Sequence, residues 1–222
     1  MIEYIIFYGV ICLFIIGLCG GSGSGKGTVS NFFREKGVVC IDTDAIYRDI
    51  TSGKSKCLDE IISAFGKRFL SPDGSLNRRL LASEVFHDRN KLDMLNSISH
   101  RHILNRCREI ISEADGRNEK LIVIDAPLLF ESGFDSECDI IIMVTAEEET
   151  RIRRIMKRDG IGKEQAKARI NSQNPDEKYI GKANIIIEND FDVQSLEKKA
   201  EKALEIIEKT VESGVLNEQI RI

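Results

Sequence analysis

The chain has 222 residues, of which 42% are hydrophobic and 31% charged, a composition that predicts a folded protein with a buried core. This length suits one α/β domain with embedded subdomains, or two small domains at most. The formal net charge of −4 argues against a protein that coats nucleic acid with a basic surface, although it leaves open ligands that need only local positive charge.

The first 19 residues contain an apolar run that begins at Tyr4. The flank before this run has no Lys or Arg, and no small-residue cleavage site follows it, so the run does not fit a signal peptide. Its last six or so residues are predicted to be a strand, and what remains upstream is shorter than the ~20 residues of a membrane-spanning helix. Our hypothesis is that residues 1–12 form an apolar extension ahead of a domain that starts near Leu13. We expect no membrane partner.

Five short apolar runs lack polar alternation, as expected of strands buried on both faces of a parallel sheet. They are residues 14–19, 38–41, 121–124, 140–144 and 185–187. Because helical patterns alternate with these runs, the sequence predicts a five-stranded parallel sheet flanked by crossover helices.

Two stretches between these runs are charged and helical in pattern, and the chain ends in an amphipathic closing helix at 195–212. We predict a single domain over residues 1–222, with a helical insertion and a second helical segment. The predicted core is residues 13–70, 119–146 and 183–222, the insertion 71–118 and the second segment 147–182.

A glycine-rich segment, Gly20-Gly-Ser-Gly-Ser-Gly-Lys-Gly-Thr28, follows the first predicted strand and opens a helix. This is the context of a phosphate-binding loop, in which backbone N–H groups and the positive end of the helix surround the phosphates of a nucleotide. Lys26 is predicted to bridge the β- and γ-phosphates of ATP and to stabilise charge during transfer. The predicted ATP-binding residues are Gly21, Ser22, Gly23, Ser24, Gly25, Lys26, Gly27 and Thr28.

The position after the lysine, where a hydroxyl usually contacts Mg²⁺, is Gly27, and Thr28 follows it. Adenylate kinases resemble this arrangement, because they carry Gly-Lys-Gly-Thr in the loop and still use Mg²⁺. We therefore expect Mg²⁺ as a cofactor, with Thr28 as its ligand through water.

Two carboxylates, Asp42 and Asp44, lie at the carboxyl end of the second predicted strand, the edge where ligand sites of α/β proteins collect. A pair at i and i+2 suits a general base and a metal-shell ligand, but one aspartate can instead cap the following helix. We predict that Asp44 is functional and leave Asp42 open between capping and substrate binding.

The six cysteines show no C-x-x-C spacing, which disfavours zinc and thioredoxin-type sites. A chain this long has enough core to be stable without disulfides, so we expect reduced thiols, mostly buried, in a cytoplasmic protein.

Nine segments resemble the dephospho-coenzyme A kinase family in order and spacing, from Ile16 to the closing helix. They lie at residues 16–26, 42–48, 73–78, 85–86, 95–100, 125–131, 154–159, 169–173 and 183–189. The resemblance implies a P-loop kinase fold in which 71–118 binds the acceptor and 147–182 forms a lid. It also implies ATP-dependent phosphorylation of the ribose 3′-hydroxyl of dephospho-CoA, the last step of coenzyme A synthesis.

The resemblance also implies residue roles. Asp44 matches the proposed base for the ribose hydroxyl, and Arg48 would help to hold the acceptor. Leu128 and Glu131, at the two ends of a Leu-Leu-Phe-Glu segment, would line the acceptor pocket. His100 is a further candidate near the acceptor, on residue chemistry alone.

Five basic residues crowd one predicted helix between 151 and 158. Arg154 and Arg158 are spaced i, i+4 on one face and match lid arginines of the family, which would grip phosphate oxygens as the lid excludes water. We interpret Arg151 and Arg153 as a solvated basic face paired with the acidic residues 147–149.

Two alternatives remain at this point: a nucleoside or nucleotide kinase of the same fold, and a non-catalytic ATP-binding sensor for which Gly27 is the one hint. A GTPase is disfavoured relative to both. We expect small-molecule partners, no nucleic acid, and a monomer or weak homo-oligomer.

Overall fold

A computed structural model describes residues 13–85, 88–213 and 219–222. The predicted extension at residues 1–12 lies outside the described residues, as do Phe86 and His87.

The strands form one sheet in the order β2-β3-β1-β4-β5-β6, and every pair whose register is described is parallel. The strands are β1 Phe14–Cys19, β2 Val39–Asp42, β3 Leu121–Asp125, β4 Ile140–Thr145, β5 Ile185–Glu188 and β6 Ile220–Arg221. The five predicted strands are confirmed, but the predicted number is wrong, because the short sixth strand pairs with β5. Ile220 N–H donates to Asn184 O at 2.8 Å, and Ile222 N–H donates to Ile186 O at 2.9 Å.

Helices connect the strands. They are α1 Lys26–Glu35, α2 Thr43–Ile50, α3 Lys56–Phe65, α4 Arg78–Val85, α5 Arg89–Gly116, α6 Glu148–Asp159, α7 Lys163–Asn171, α8 Glu177–Ile180 and α9 Val193–Ser213. None of the helices within the described ranges is both long and apolar enough to cross a membrane.

The chain divides into two compact units. The first comprises the described residues up to Ile41 and those from Glu113 onward, and it contains the sheet. Its core consists of apolar strand residues covered by α1 and α9, with Phe33 and Ala200 fully buried on those helices. Each large apolar side chain buried in this way contributes roughly 1.5–3 kcal/mol to folding. The amphipathic closing helix predicted at 195–212 is thereby confirmed as α9.

The second unit, Asp42–Ser112, has a helical core of its own. Ile61 and Phe69 are fully buried there together with Leu81 of α4. The predicted role of residues 71–118 as an acceptor-binding insertion remains a prediction.

The charged segment 147–182 forms α6, α7 and α8 within the first unit. Ile152, Ile155 and Ala166 bury against one another and join α6 to α7. Helix α6 ends at Gly160, whose left-handed conformation (φ 66°) allows the chain to turn back into α7. We call residues 147–182 the lid segment, and its movement remains a prediction.

Candidate active site

The phosphate loop, Gly20–Gly25, joins the carboxyl end of β1 to the amino end of α1. Gly23 has a φ of 80°, and a Cβ placed on it would lie 2.7 Å from the carbonyl oxygen of Arg151. Glycine is therefore required there both by conformation and by the close approach of α6. Thr28 lies in the first turn of α1, where its N–H donates to Gly25 O at 2.9 Å.

Lys26, the first residue of α1, forms an ion pair with Asp125 at the carboxyl end of β3. The two groups meet because β3 pairs with β1, and Asp125 is in register with Leu18, just before the loop. Their side chains are 16% and 8% exposed. No role was predicted for Asp125 itself, although a carboxylate that ends a strand buried on both faces was a usable signal.

Side chains outside the loop hold three successive loop carbonyls. Arg151 Nε donates to Ser22 O at 2.9 Å, and Arg154 Nη1 donates to Gly23 O at 3.3 Å. Asn189, which follows β5, donates from Nδ2 to Ser24 O at 2.7 Å. The loop is therefore supported from outside by α6 and by the segment after β5.

The interpretation of Arg151 as a solvated residue is wrong. It is only 8% exposed, and its Nη1 forms an ion pair with Asp176 Oδ2 at 3.2 Å. The carbonyl of Ser22 and the carboxylate of Asp176 together compensate the burial of the guanidinium, as a buried charge requires. The burial of Asp176 raises the pKa of its carboxyl, and Arg151 opposes that shift.

Arg154 and Arg158 lie on α6 as predicted, but their guanidinium groups have different partners. Arg154 donates to Asn189 O and Phe191 O, both at 2.9 Å, in addition to Gly23 O. Burial lowers the pKa of the Arg154 guanidinium from its ordinary value. Arg158 is 58% exposed and forms two hydrogen bonds with the carboxylate of Asp159.

A small, solvent-open cleft lies beside the phosphate loop within the first unit. Leu128 and Glu131, the two predicted acceptor-pocket residues of this unit, both line it. Phe130 stacks on Tyr179 with ring centroids 4.4 Å apart, and Asn174 Nδ2 donates to Glu131 Oε1 at 2.7 Å. The cleft therefore has apolar, aromatic and hydrogen-bonding walls, the mixture typical of small-molecule sites.

The remaining predicted residues belong to the second unit. Asp42 Oδ1 accepts a hydrogen bond from Ala45 N at 2.9 Å, so Asp42 caps α2. Its Oδ2 lies 3.7 Å from Arg48 Nη2. Asp44 and Arg48 are both exposed and stand four residues apart on α2, which is the spacing of one helix face. His100 is half-buried on α5.

The donors near the loop fit a hard cation such as Mg²⁺. Within the described part of the chain, no group of three His, Cys, Asp or Glu side chains could hold a metal ion alone. Mg²⁺ does not need such a cage, because it keeps several waters and is bound through one or two carboxylates and the substrate phosphates. Asp125 and the hydroxyl of Thr28 are oxygen donors at the carboxyl end of β3 and the start of α1.

The five cysteines of the described ranges are free thiols, as predicted: Cys19, Cys40, Cys57, Cys107 and Cys138. Burial raises the pKa of Cys19 and of Cys138 to about 12, so both are protonated at neutral pH. Cys12 lies outside the described residues.

A parallel sheet with this loop, a lysine at the start of α1 and arginines on a neighbouring helix define a P-loop kinase. Among solved structures, TT1252 from Thermus thermophilus is similar to this chain, with a TM-score of 0.74 and 30% identity, covering 88% of this chain and 98% of that one. A dephospho-CoA kinase from Campylobacter jejuni has a TM-score of 0.65 and 27% identity, covering 88% of this chain and 97% of its own.

The sequence comparisons identify the family. The sequence model for dephospho-CoA kinase matches residues 14–195. A dephospho-CoA kinase of Fusobacterium nucleatum is 42% identical over 88% of this chain and 99% of its own length. The chain belongs to the dephospho-CoA kinase family.

Proposed function

We propose that the protein transfers the γ-phosphoryl group of ATP to the ribose 3′-hydroxyl of dephospho-CoA, which gives CoA and ADP in the last step of coenzyme A synthesis. The observation that carries this proposal is family membership over residues 14–195 with an intact phosphate loop. We also propose a cytoplasmic location, which the free thiols support because disulfides belong to oxidising compartments.

ATP binds with its phosphates on the loop and at the amino end of α1, where the backbone N–H groups and the helix dipole favour negative charge. Lys26 then exchanges its partner. In the free protein it is neutralised by Asp125, and in the complex its ammonium bridges the β- and γ-phosphates. The ion pair thus keeps a cation in place at the loop before the nucleotide arrives.

Thr28 and Asp125 are the residues that would hold Mg²⁺, which when bound supplies positive charge to the phosphate oxygens. The exchange of Lys26 from Asp125 to the phosphates releases a carboxylate for this purpose. The two residues need not be direct ligands, since Mg²⁺ retains water.

In the transfer step the 3′-oxygen forms a bond to the γ-phosphorus while the bond from that phosphorus to the β–γ bridging oxygen breaks, and ADP leaves. We assign the hydroxyl proton to the carboxylate of Asp44, and the holding of the acceptor to Arg48 with His100 as a further candidate. Asp42 caps α2 and so stabilises the helix that carries Asp44 and Arg48. Leu128 and Glu131 are assigned to the acceptor pocket, which the cleft supports.

Charge on the transferring group is stabilised by Lys26 and by the lid arginines, and such positioned charges account for most of the acceleration in phosphoryl transfer. Arg158 is exposed, and it reaches phosphate by leaving Asp159. Arg154 already donates to Gly23 O, so its positive charge lies beside the phosphate loop before the nucleotide binds.

The test is ADP formation with ATP, Mg²⁺ and a panel of acceptors that contains dephospho-CoA, nucleosides and nucleoside monophosphates. We expect ADP with dephospho-CoA alone, and a fall in kcat of about 10²–10⁴ in Asp44→Asn, the range for loss of a general base. Asp49→Asn, also exposed on α2, is the matched control and retains activity. ADP with a monophosphate would instead assign a nucleotide kinase, and nucleotide binding without transfer to any acceptor would assign a sensor.

A further inference from the structure

We propose that Arg151 is a positioning residue, which sets the phosphate loop for nucleotide binding by holding the carbonyl of Ser22 away from the phosphates. Asp176 and Gln173 of the lid segment assist it. The proposal deepens the proposed function, and it rests only on the part of that function in which the loop binds a nucleoside triphosphate.

Both main-chain polar groups of Ser22 are held by side chains of the lid segment. Its carbonyl accepts from Arg151 Nε at 2.9 Å, and its N–H donates to Gln173 Oε1 at 2.8 Å. Gln173 follows α7, and Arg151 lies on α6. Ser22 is therefore held from two parts of the lid segment at once.

The orientation of one carbonyl decides the orientation of the next N–H. In a planar trans peptide the C=O of one residue and the N–H of the following residue point in opposite directions. Because Arg151 fixes the carbonyl of Ser22 on the side of α6, the N–H of Gly23 points to the opposite side, into the loop. Inward N–H groups of this kind are what a phosphate-binding loop uses.

The peptide between Ser24 and Gly25 has the same arrangement. Asn189 Nδ2 holds the carbonyl of Ser24 at 2.7 Å, which directs the N–H of Gly25 in the same way. Gly25 thus offers an internal reference, because its peptide does not depend on Arg151.

Arg151 is itself held tightly. It forms an ion pair with Asp176 at 3.2 Å, and a Cβ on Gly21 would lie only 2.2 Å from its Nη2. The guanidinium thus packs closely against the loop backbone, and it donates to the loop from Nε and to Asp176 of the lid segment from Nη1. A lysine has a single donor centre and cannot serve both partners with this geometry.

Arg153 carries the same charge as Arg151 on the same helix, but its described hydrogen bond goes to α6 and not to the loop. It is two residues further on the same helix, and its Nη2 donates to Thr150 Oγ1 at 2.9 Å. Arg153→Met removes the same charge from the same helix without touching the loop bonds of Arg151, so it is the matched control.

The test follows the backbone amide resonances of Gly23 and Gly25 by NMR as a non-hydrolysable ATP analogue is added. In the wild type we expect both amide protons to move downfield, because each donates to a phosphate. In Arg151→Met we expect the Gly23 shift to collapse while the Gly25 shift persists, and nucleotide affinity to fall about tenfold or more. Arg153→Met should behave as the wild type.

Arg151→Met leaves the half-buried carboxylate of Asp176 without this arginine, which destabilises the fold. The double variant Arg151→Met/Asp176→Asn removes the carboxylate charge and with it this source of destabilisation. The double variant should still lose the Gly23 shift. Arg151→Lys should give an intermediate affinity. In steady state, kcat/KM for ATP should fall with the affinity, while KM for dephospho-CoA should change less than about twofold.

A Gly23 shift that survives in both Arg151 variants would overturn the proposal, and so would a wild-type Gly23 amide that does not respond to the triphosphate. Equal loss at Gly23 and Gly25 in the double variant would also overturn it, since that pattern indicates general damage to the loop. The NMR titration contains no acceptor, so an error in the assignment of dephospho-CoA leaves the amide shifts unchanged.

Discussion

Lys26 and Asp125 carry opposite charges at the ends of neighbouring structural elements, and both are largely buried. Removing one member of a buried pair leaves the other poorly compensated, whereas removing both is much less costly. This asymmetry separates the contribution of the pair to stability from the contribution of Lys26 to nucleotide binding.

We predict that Lys26→Met lowers the free energy of unfolding of the free protein by about 1–3 kcal/mol, because Asp125 loses its lysine. The double variant Lys26→Met/Asp125→Asn should recover most of that loss without regaining nucleotide binding. Chemical denaturation and a nucleotide-binding titration measure the two effects. Equal losses of stability in the single and double variants would show that the pair does not stabilise the free protein.

The buried thiols allow a prediction on pH. Burial raises the pKa of Cys19 and Cys138 from 9.0 to about 12, so the native state keeps these protons at pH values where the unfolded chain releases them. The protonated thiols therefore leave the free energy of unfolding at its full value below pH 9, and they lower it as the pH rises from 9 towards 12.

Alkylation at pH 9 followed by peptide mapping should therefore label Cys19 and Cys138 far more slowly in the native protein than in urea, because the thiolate is the reactive form. Native labelling at the denatured rate would contradict the burial of these side chains.

At the scale of the element, the phosphate loop and α1 contain glycines with opposite surroundings. Gly23 has a positive φ and no room for a Cβ, while Gly27, inside α1, would find nothing within 4 Å of a Cβ. The same substitution should therefore have opposite effects at the two positions.

Gly23→Ala should lower the free energy of unfolding by at least about 1–2 kcal/mol, the cost of a left-handed alanine, and should weaken nucleotide binding. Gly27→Ala should raise it by up to about 1 kcal/mol, because alanine is the better helix former. Thermal or chemical unfolding of the pair compares them directly. Destabilisation by Gly27→Ala would mean that the first turn of α1 lacks the space that the structure shows.

Helix α6 shows where local patterns succeed and fail. The i, i+4 spacing correctly predicted that Arg154 and Arg158 lie on one helix. The acidic residues before Arg151 led to the wrong prediction that Arg151 is solvated and pairs with them. Its true partners are Ser22, more than a hundred residues earlier in the chain, and Asp176. Burial of an arginine depends on such distant acceptors, which helix periodicity does not contain.

At the scale of the whole molecule, the sequence predicted the parallel sheet, because its five strands are continuous apolar runs. Strand β6 has only two residues and no such run, so its pairing through Asn184 and Ile186 follows from tertiary contact alone. The loop and Lys26 were predictable from a motif. The contact of Asn189 with the loop and the Lys26–Asp125 pair could not be predicted in this way, because both depend on the register of the sheet.

The position of the new phosphate decides whether this member of the dephospho-CoA kinase family phosphorylates the 3′-hydroxyl of dephospho-CoA. The measurement is a two-dimensional ³¹P–¹H correlation spectrum of the product formed from dephospho-CoA, ATP and Mg²⁺. We expect a new phosphomonoester coupled to the ribose H3′, with loss of one equivalent of ATP. A phosphate coupled to any other position, or an unchanged acceptor while another compound is phosphorylated, would contradict it.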